Sequence, residues 1–254
     1  LRFGLIMTIL KSNDQIESMI KGGKILRDAV KYAEEIVSVG MTTQRLNDEI
    51  EEFIVKNGGE AGFKRVPGYS WATCICVNEQ VVHTPPSKRV LEDGDVVTID
   101  VGVYLDGLHT DSATTVQIGT KTAQVTKFLD TGKHALKEAL KQAKYGKNIG
   151  HISQTFQKVI ESAGYSIIKE LTGHGVGKEL HEDPYIPCYS RGSAEKTQKL
   201  KPGMTLALEV MYALGRPEIV NEGDGWSIKT EDNSLTATFE KSIAILEKKT
   251  LILT

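Results

Sequence analysis

The sequence predicts a mixed α/β (α+β) chain in which a helix–helix–strand–hairpin unit occurs twice. Three observations carry that prediction. The first is helical apolar spacing: Leu46, Ile50, Phe53 and Ile54 match Ile152, Phe156, Val159 and Ile160 at one constant offset. The second is a glycine turn leading into an acid-bearing apolar run. Leu91-Glu92-Asp93-Gly94 is followed six residues later by Asp100, and Leu200-Lys201-Pro202-Gly203 six residues later by Glu209. The third is a histidine loop, His83-Thr84-Pro85-Pro86, which resembles His181-Glu182-Asp183-Pro184. The repeats span about 9–120 and 121–248, and no stretch of linker composition separates them. The chain is therefore read as a single domain, 1–254.

Each element has its own signal. Ser12-Asn13-Asp14-Gln15 opens a helix, with Ser12 and Gln15 placed as a capping box. It runs to about Ser38, and Gly40 ends it. Thr42 or Thr43 starts the second helix, and Asn57-Gly58-Gly59 stops it. A strand near Ala72–Val77 precedes a proline-broken loop holding His83. Asp106-Gly107 joins two strand patterns, Val96–Leu105 and Leu108–Ile118, into a hairpin. A helix over Lys121–Tyr145 follows, then the second amphipathic helix, ended by Gly164. Thr172–Pro187, rich in glycine and proline, reads as a loop. Met204–Leu214 reads as a strand, and Trp226–Thr230 as pairing with Leu235–Leu246 across Glu231–Ser234.

Composition narrows the classes. The chain has 254 residues, 40% apolar and 25% charged, which suits a globular protein with a full core. The net charge of −2 offers no basic surplus for nucleic acid or an anionic membrane. Three cysteines, Cys74, Cys76 and Cys188, form no disulfide framework and point to a reducing, cytoplasmic setting. The apolar opening, Leu1–Leu10, is too short to span a bilayer and has no small-residue cleavage site.

Acids in apolar strands are the strongest functional signal, because a buried strand disfavours a carboxylate. Asp100 sits in Val96-Val97-Thr98-Ile99-Asp100-Val101. If Asp106-Gly107 is the turn, Gly102 faces Asp111, so Asp100 and Asp111 share a face as a diagonal pair. Glu209 in Leu206-Ala207-Leu208-Glu209-Val210 and Glu240 in Ala237-Thr238-Phe239-Glu240 repeat the anomaly. Neighbouring buried carboxylates need a cation, or one must hold a proton. Oxygen donors with a neutral imidazole suit Mn, Fe or Co, and four carboxylates balance two divalent ions. Two such ions close together form a hydrolytic device.

Of six histidines, three stand in suggestive loops. His174 lies in Thr172-Gly173-His174-Gly175-Val176-Gly177, where glycines let the backbone crowd a metal or substrate. No Lys-Ser/Thr follows to make a phosphate loop. His181 and His83 each precede a proline-containing turn. His109, His134 and His151 carry no such context.

The set Asp100, Asp111, His174, Glu209 and Glu240 resembles the five-ligand pattern of the methionine aminopeptidases, within the pita-bread-fold metallopeptidases. The motifs are Thr98-Ile99-Asp100-Val101-Gly102, His109-Thr110-Asp111, Gly173-His174-Gly175-Val176-Gly177, His181-Glu182-Asp183-Pro184 and Ala237-Thr238-Phe239-Glu240. The resemblance runs from about Ile9 to Leu246 and is nearest to the bare catalytic domain of the bacterial type I enzymes. It implies a pita-bread fold, two pseudo-symmetric repeats around a curved antiparallel sheet. It implies an enzyme that removes the initiator methionine from nascent chains when the next residue is small. Asp100 would chelate one of two divalent ions, Asp111 and Glu240 would bridge them, and His174 and Glu209 would complete a site. A bridging hydroxide would attack the first peptide carbonyl, with Glu209 relaying its proton. His181 would hydrogen-bond the carbonyl oxygen, and His83 would sit near the scissile nitrogen. The methionine pocket would be Phe63, Tyr69, Cys74, Leu180 and Trp226. The partners implied are nascent polypeptide N-termini, including those at the ribosome, with no nucleic acid and no membrane, for a monomeric protein.

The chain departs from the family pattern at Thr84, Val210, Lys241 and Val66-Pro67, where Gly, Pro, His and Tyr-His are usual. None of these is a metal ligand, and Lys241, next to Glu240, alternates to the other face of its strand. An Xaa-Pro peptidase of the same fold and a non-catalytic protein- or RNA-binding member are the competing readings. Retention of all five ligands weighs against the second.

Overall fold

The computed structural model describes residues 8–190 and 192–254. Leu1 to Met7 of the apolar opening stretch lie outside these residues. In chain order the first half contains α1 (Asn13–Ile36), α2 (Thr43–Lys56), β1 (Glu60–Ala61), β2 (Thr73–Val77), β3 (Gln80–Val82), β4 (Val96–Leu105) and β5 (Leu108–Gln117). The second half contains α3 (Ala123–Gln142), α4 (Ile149–Ser162), β6 (Ser166–Ile167), β7 (Thr172–Gly175), β8 (Glu182–Pro187) and β9 (Thr205–Ala213). It ends with β10 (Ile219–Asn221), β11 (Ile228–Thr230), β12 (Thr236–Ile245) and β13 (Thr250–Ile252). No helix among the described residues is long and apolar enough to cross a membrane.

The local signals act as their chemistry predicts. The Ser12–Gln15 capping box closes reciprocally over the first turn of α1. Thr42 and Thr122 cap α2 and α3 by accepting the amides of Arg45 and Val125. Asp106 and Gly107 both adopt positive φ, 51° and 82°, as a tight hairpin turn between right-twisted strands requires. The register follows from it: Leu105 faces Leu108, Gly102 faces Asp111 and Asp100 faces Ala113.

Three antiparallel sheets result. In the first, β4 pairs with β5 on one side and with β1 and β2 on the other. The second runs β13-β12-β9-β7-β8, with β6 also on β9. A small third sheet runs β10-β11-β3. Helices α1 and α2 cover the first sheet through Leu26, Leu46, Ile50, Ile75 and Ile99. Helices α3 and α4 cover the second through Phe128, Ile152, Phe156, Leu208 and Tyr212. Side-chain hydroxyls join the two large sheets where β5 meets β12. Ser112 donates to the Glu240 carbonyl (3.0 Å), and Thr115 to that of Thr238 (2.8 Å). Ser242 accepts the Asp111 amide (2.9 Å) and donates to the Asp111 carbonyl (2.8 Å).

Two expectations are corrected. Thr172–Pro187 is not a loop: β7 and β8 form an antiparallel pair inside the second sheet. Its glycines serve close backbone packing rather than turning. A Cβ on Gly173 would lie 2.6 Å from the Ala207 carbonyl oxygen, and one on Gly175 2.6 Å from that of Asp183. Nor do Trp226–Thr230 and Leu235–Leu246 form a hairpin. Strand β11 pairs with β10 and β3, while β12 is occupied on both edges by β9 and β13. Sequence adjacency favours the hairpin, but long-range pairing overrides it.

The packing of α3 on the strands makes a test. A Cβ on Gly132 would lie 2.5 Å from the Tyr212 hydroxyl and 2.6 Å from the Phe239 ring. Gly132→Ala is expected to overpack this contact at a cost of about 1–3 kcal/mol. In a thermal melt that lowers Tm by about 2–4 °C for each kcal/mol.

Candidate active site

The four anomalous acids converge because each sits on a strand face turned toward the seam. Glu209 and Glu240 are direct cross-strand partners on β9 and β12. Asp100 and Asp111 come from β4 and β5 in the register described above. His174 enters from β7, opposite Ala207 of β9. Its Nδ1 donates to the Gly175 carbonyl at 2.9 Å, which leaves Nε2 as a free lone pair. Nε2 points at three carboxylates: Glu209 at 3.7 Å, Asp111 at 3.8 Å and Glu240 at 3.9 Å. These spacings are too long for direct hydrogen bonds and suit donors that share a central ion.

Several of the acid oxygens here lack a protein partner. One oxygen each of Asp100, Asp111 and Glu240 is buried without a hydrogen bond. Such groups are costly unless something else satisfies them. Asp111, His174 and Glu240 present ligand atoms all within 4.8 Å of one another. Among the described residues no lysine or arginine lines the cavity. Burial, with repulsion between neighbours, accordingly drives the carboxyls upward: Asp100 to about 7, and Asp111, Glu209 and Glu240 well above the usual range. Burial lowers His174 to about 3, so its imidazole is neutral and available as a ligand. The donor set therefore fits hard or borderline divalent cations.

An apolar pocket adjoins these acids. Phe63, Tyr69, Cys74 and Leu180 form a buried cluster, with Trp226 packed against it. Cys74 pairs directly with Asp100 across β2 and β4. The Tyr69 hydroxyl donates to the Thr73 carbonyl (2.8 Å), and its ring meets Trp226 edge-on at 5.0 Å. Gly102 makes room for the pocket wall, since a Cβ there would lie 2.6 Å from the Phe63 ring. The entry of β2 is held by Asn47, whose Oδ1 accepts from the amides of Ala72 and Thr73 and from the Thr73 hydroxyl.

All twelve residues singled out in the sequence line one cavity, of about 610 Å³ counting its open mouth. His181 stacks edge-on against His174, ring centroids 4.5 Å apart. His83 holds a positive φ of 64°, an unusual backbone for histidine that turns the chain sharply after β3. Burial lowers both His83 and His181, with His181 adding to the effect on His83. Two further lining residues, Val66 and Val82, escaped the sequence reading as site residues. Val66 stood out only as a departure, and Val82 lies on β3, a three-residue strand too short to show an alternation. His109, His134 and His151 lie off this cavity. Lys241 also lies off it, and its Nζ reaches Ser112 Oγ at 3.3 Å.

With this geometry in place, comparisons define the class. Residues 17–238 match the model of metallopeptidase family M24. The chain is 38% identical to methionine aminopeptidase 1 of Bacillus subtilis, over 98% of this chain and 99% of that protein. It is 34% identical to the methionine aminopeptidase of Escherichia coli, over 96% and 93%. The crystal structure of methionine aminopeptidase from Thermotoga maritima superposes with a TM-score of 0.94 at 37% identity, covering 98% of this chain and 99% of that one. Prolidase from Pyrococcus furiosus shares the fold, with a TM-score of 0.78 at 24% identity, 97% of this chain covering 65% of that one. The chain belongs to metallopeptidase family M24, and its buried Asp/His/Glu cluster is a site for divalent metal.

The raised carboxyls give a pH test. In the unfolded chain they titrate near about 4, whereas folded Asp100 titrates at about 7. Between these values the carboxyls hold more protons folded than unfolded, so their share of the metal-free protein's stability falls as pH rises, while the buried histidines, His174 lowered to about 3 among them, act in the opposite sense. Melts in chelator are expected to give a Tm change from about pH 4 to about pH 7 that is more negative in wild type than in Asp100→Asn, which lacks one of the raised carboxyls. Divalent metal added at pH 6 is expected to release protons, read calorimetrically in buffers of different ionisation enthalpy.

Proposed function

We propose that this chain is a metal-dependent aminopeptidase that removes the initiator methionine from nascent proteins and peptides when the second residue is small. One observation carries the reading: a small apolar pocket, floored by Phe63, Tyr69 and Cys74, opens directly onto the carboxylate–imidazole cluster. A single unbranched apolar side chain fits there, with aromatic rings for its sulfur. The family match and the named relatives support the same reading.

Asp100, Asp111, His174, Glu209 and Glu240 would hold two divalent ions, of Mn, Fe or Co, balanced by the four carboxylates. When bound, such ions supply hydroxide near neutral pH and polarise a carbonyl. The protein side chains divide the remaining work. Phe63, Tyr69, Cys74, Leu180 and Trp226 take the methionine side chain and fix the first peptide bond against the acids. Glu209, bordering the cavity, moves a proton from the attacking water toward the leaving amine. His181 is neutral through burial and donates to the carbonyl oxygen as negative charge develops on it. His83 is held by its turn at the amine side of the scissile bond. The chain acts as one catalytic domain of two repeats, monomeric and cytoplasmic, on N-termini emerging from the ribosome.

Two measurements test this. Metal-free protein reloaded with Mn or Co is expected to release methionine from Met-Ala-Ser and nothing from Ala-Pro-Ser, with Asp100→Asn inactive. Release from Ala-Pro-Ser instead would assign an Xaa-Pro peptidase, and no release from either a binding role. His181→Ala is expected to lower kcat by about 10²–10³ with little change in KM, as for loss of one oxyanion donor.

A further inference from the structure

Among the described residues the His181 ring has no hydrogen-bond partner; it meets the His174 ring edge-on, and His83 and His109 lie close enough to feel its charge. Its orientation must therefore come from the backbone on either side. The next residue, Glu182, is buried and bonded to Lys11, 171 positions away. The two side chains are 3% and 1% exposed, so neither charge reaches bulk water. Lys11 Nζ also donates to the Ile9 carbonyl at 3.2 Å, and Glu182 Oε1 accepts the Glu179 amide at 3.2 Å. Gly177 leaves room for the pair as it stands: a Cβ there would fall 2.1 Å from Lys11 Cε. Lys11 is itself fastened to the acid-bearing strands: its amide donates to the Gly203 carbonyl at 2.7 Å, and the Gly203 amide donates to that of Ile245.

A buried ion pair of this kind seldom adds net stability, since apolar residues of similar volume do as well. Its position suggests another use. It ties the first residue of β8 to the frame that carries Glu209 and Glu240, and His181 lies between that anchor and the turn from β7. We infer that the Lys11–Glu182 ion pair is a positioning device for His181, setting the imidazole against the substrate carbonyl. This rests on the role proposed above for His181. Lys11 touches no substrate; it acts through Glu182.

The test uses Lys11→Met, Lys11→Arg and the double variant Lys11→Met/Glu182→Leu in the full chain loaded with Mn. Lys11→Met leaves a buried carboxylate alone and lowers Tm, so it cannot separate folding from positioning. The double variant removes both charges and is expected to recover wild-type Tm within a few degrees, about as apolar replacements of buried pairs do. Its kcat for Met-Ala-Ser is nonetheless expected to stay about 10- to 100-fold down, the usual effect of a small misplacement. KM and calorimetric Mn affinity are expected to stay within about twofold of wild type, because neither the pocket nor the ligands change. Lys11→Arg keeps the pair and is expected to retain more kcat than the double variant. Amide hydrogen exchange over residues 177–183 is expected to quicken in the double variant. A stable double variant with wild-type kcat overturns the proposal. If wild-type protein releases no methionine, the enzymatic reading has failed separately. Unchanged exchange over 177–183 in the double variant overturns the positioning role without reference to turnover.

Discussion

Four carboxyl groups face one another at a seam between two sheets, and among the described residues no lysine or arginine lines the cavity they share. That single electrostatic constraint governs the rest of the molecule. The acids cannot all ionise unless a cation joins them. Without one, protons take its place, as the raised Asp100 shows. The fold supplies the site and leaves the compensating charge to come from outside.

The seam explains how acids can be held there without collapse. Each sheet buries its outer face under a helix pair, which packs its strands on the side away from the seam. Across the junction, Ser112, Thr115 and Ser242 bond to backbone groups of the facing strand and use up polar atoms that would otherwise be orphaned. One oxygen each of Asp100, Asp111 and Glu240 is left over from this accounting. What remains unsatisfied after the backbone and hydroxyls have paired is the metal-binding chemistry.

Legibility differed by element, for identifiable reasons. Asp100 and Asp111 could be placed relative to each other from the chain alone, because the Asp106-Gly107 turn is local and a two-residue period carries its register along both strands. The helix starts at Ser12 and Thr42 were legible for the same reason, whereas the Thr122 cap lay inside a helix read as starting at Lys121. The glycines around His174 were visible as a signal but mistaken for a loop, since close strand packing and turning select the same residue. The net charge of −2, a sum over the whole chain, carries no information about a cavity lined by acids in which no described residue supplies a lysine or arginine.

By itself the sequence determined the local frame: which segments coil, where the turns fall, which strands carry an acid that a core would reject, and a family resemblance that the comparisons uphold. The tertiary structure alone decided which distant strands became neighbours. It put β11 beside β3 rather than β12, set Glu209 directly against Glu240, and brought Lys11 to Glu182 across 171 residues. Helical and strand periods report what lies within a few residues. Pairings at that separation depend on which edges and faces remain free once everything else has packed, and no local period records it.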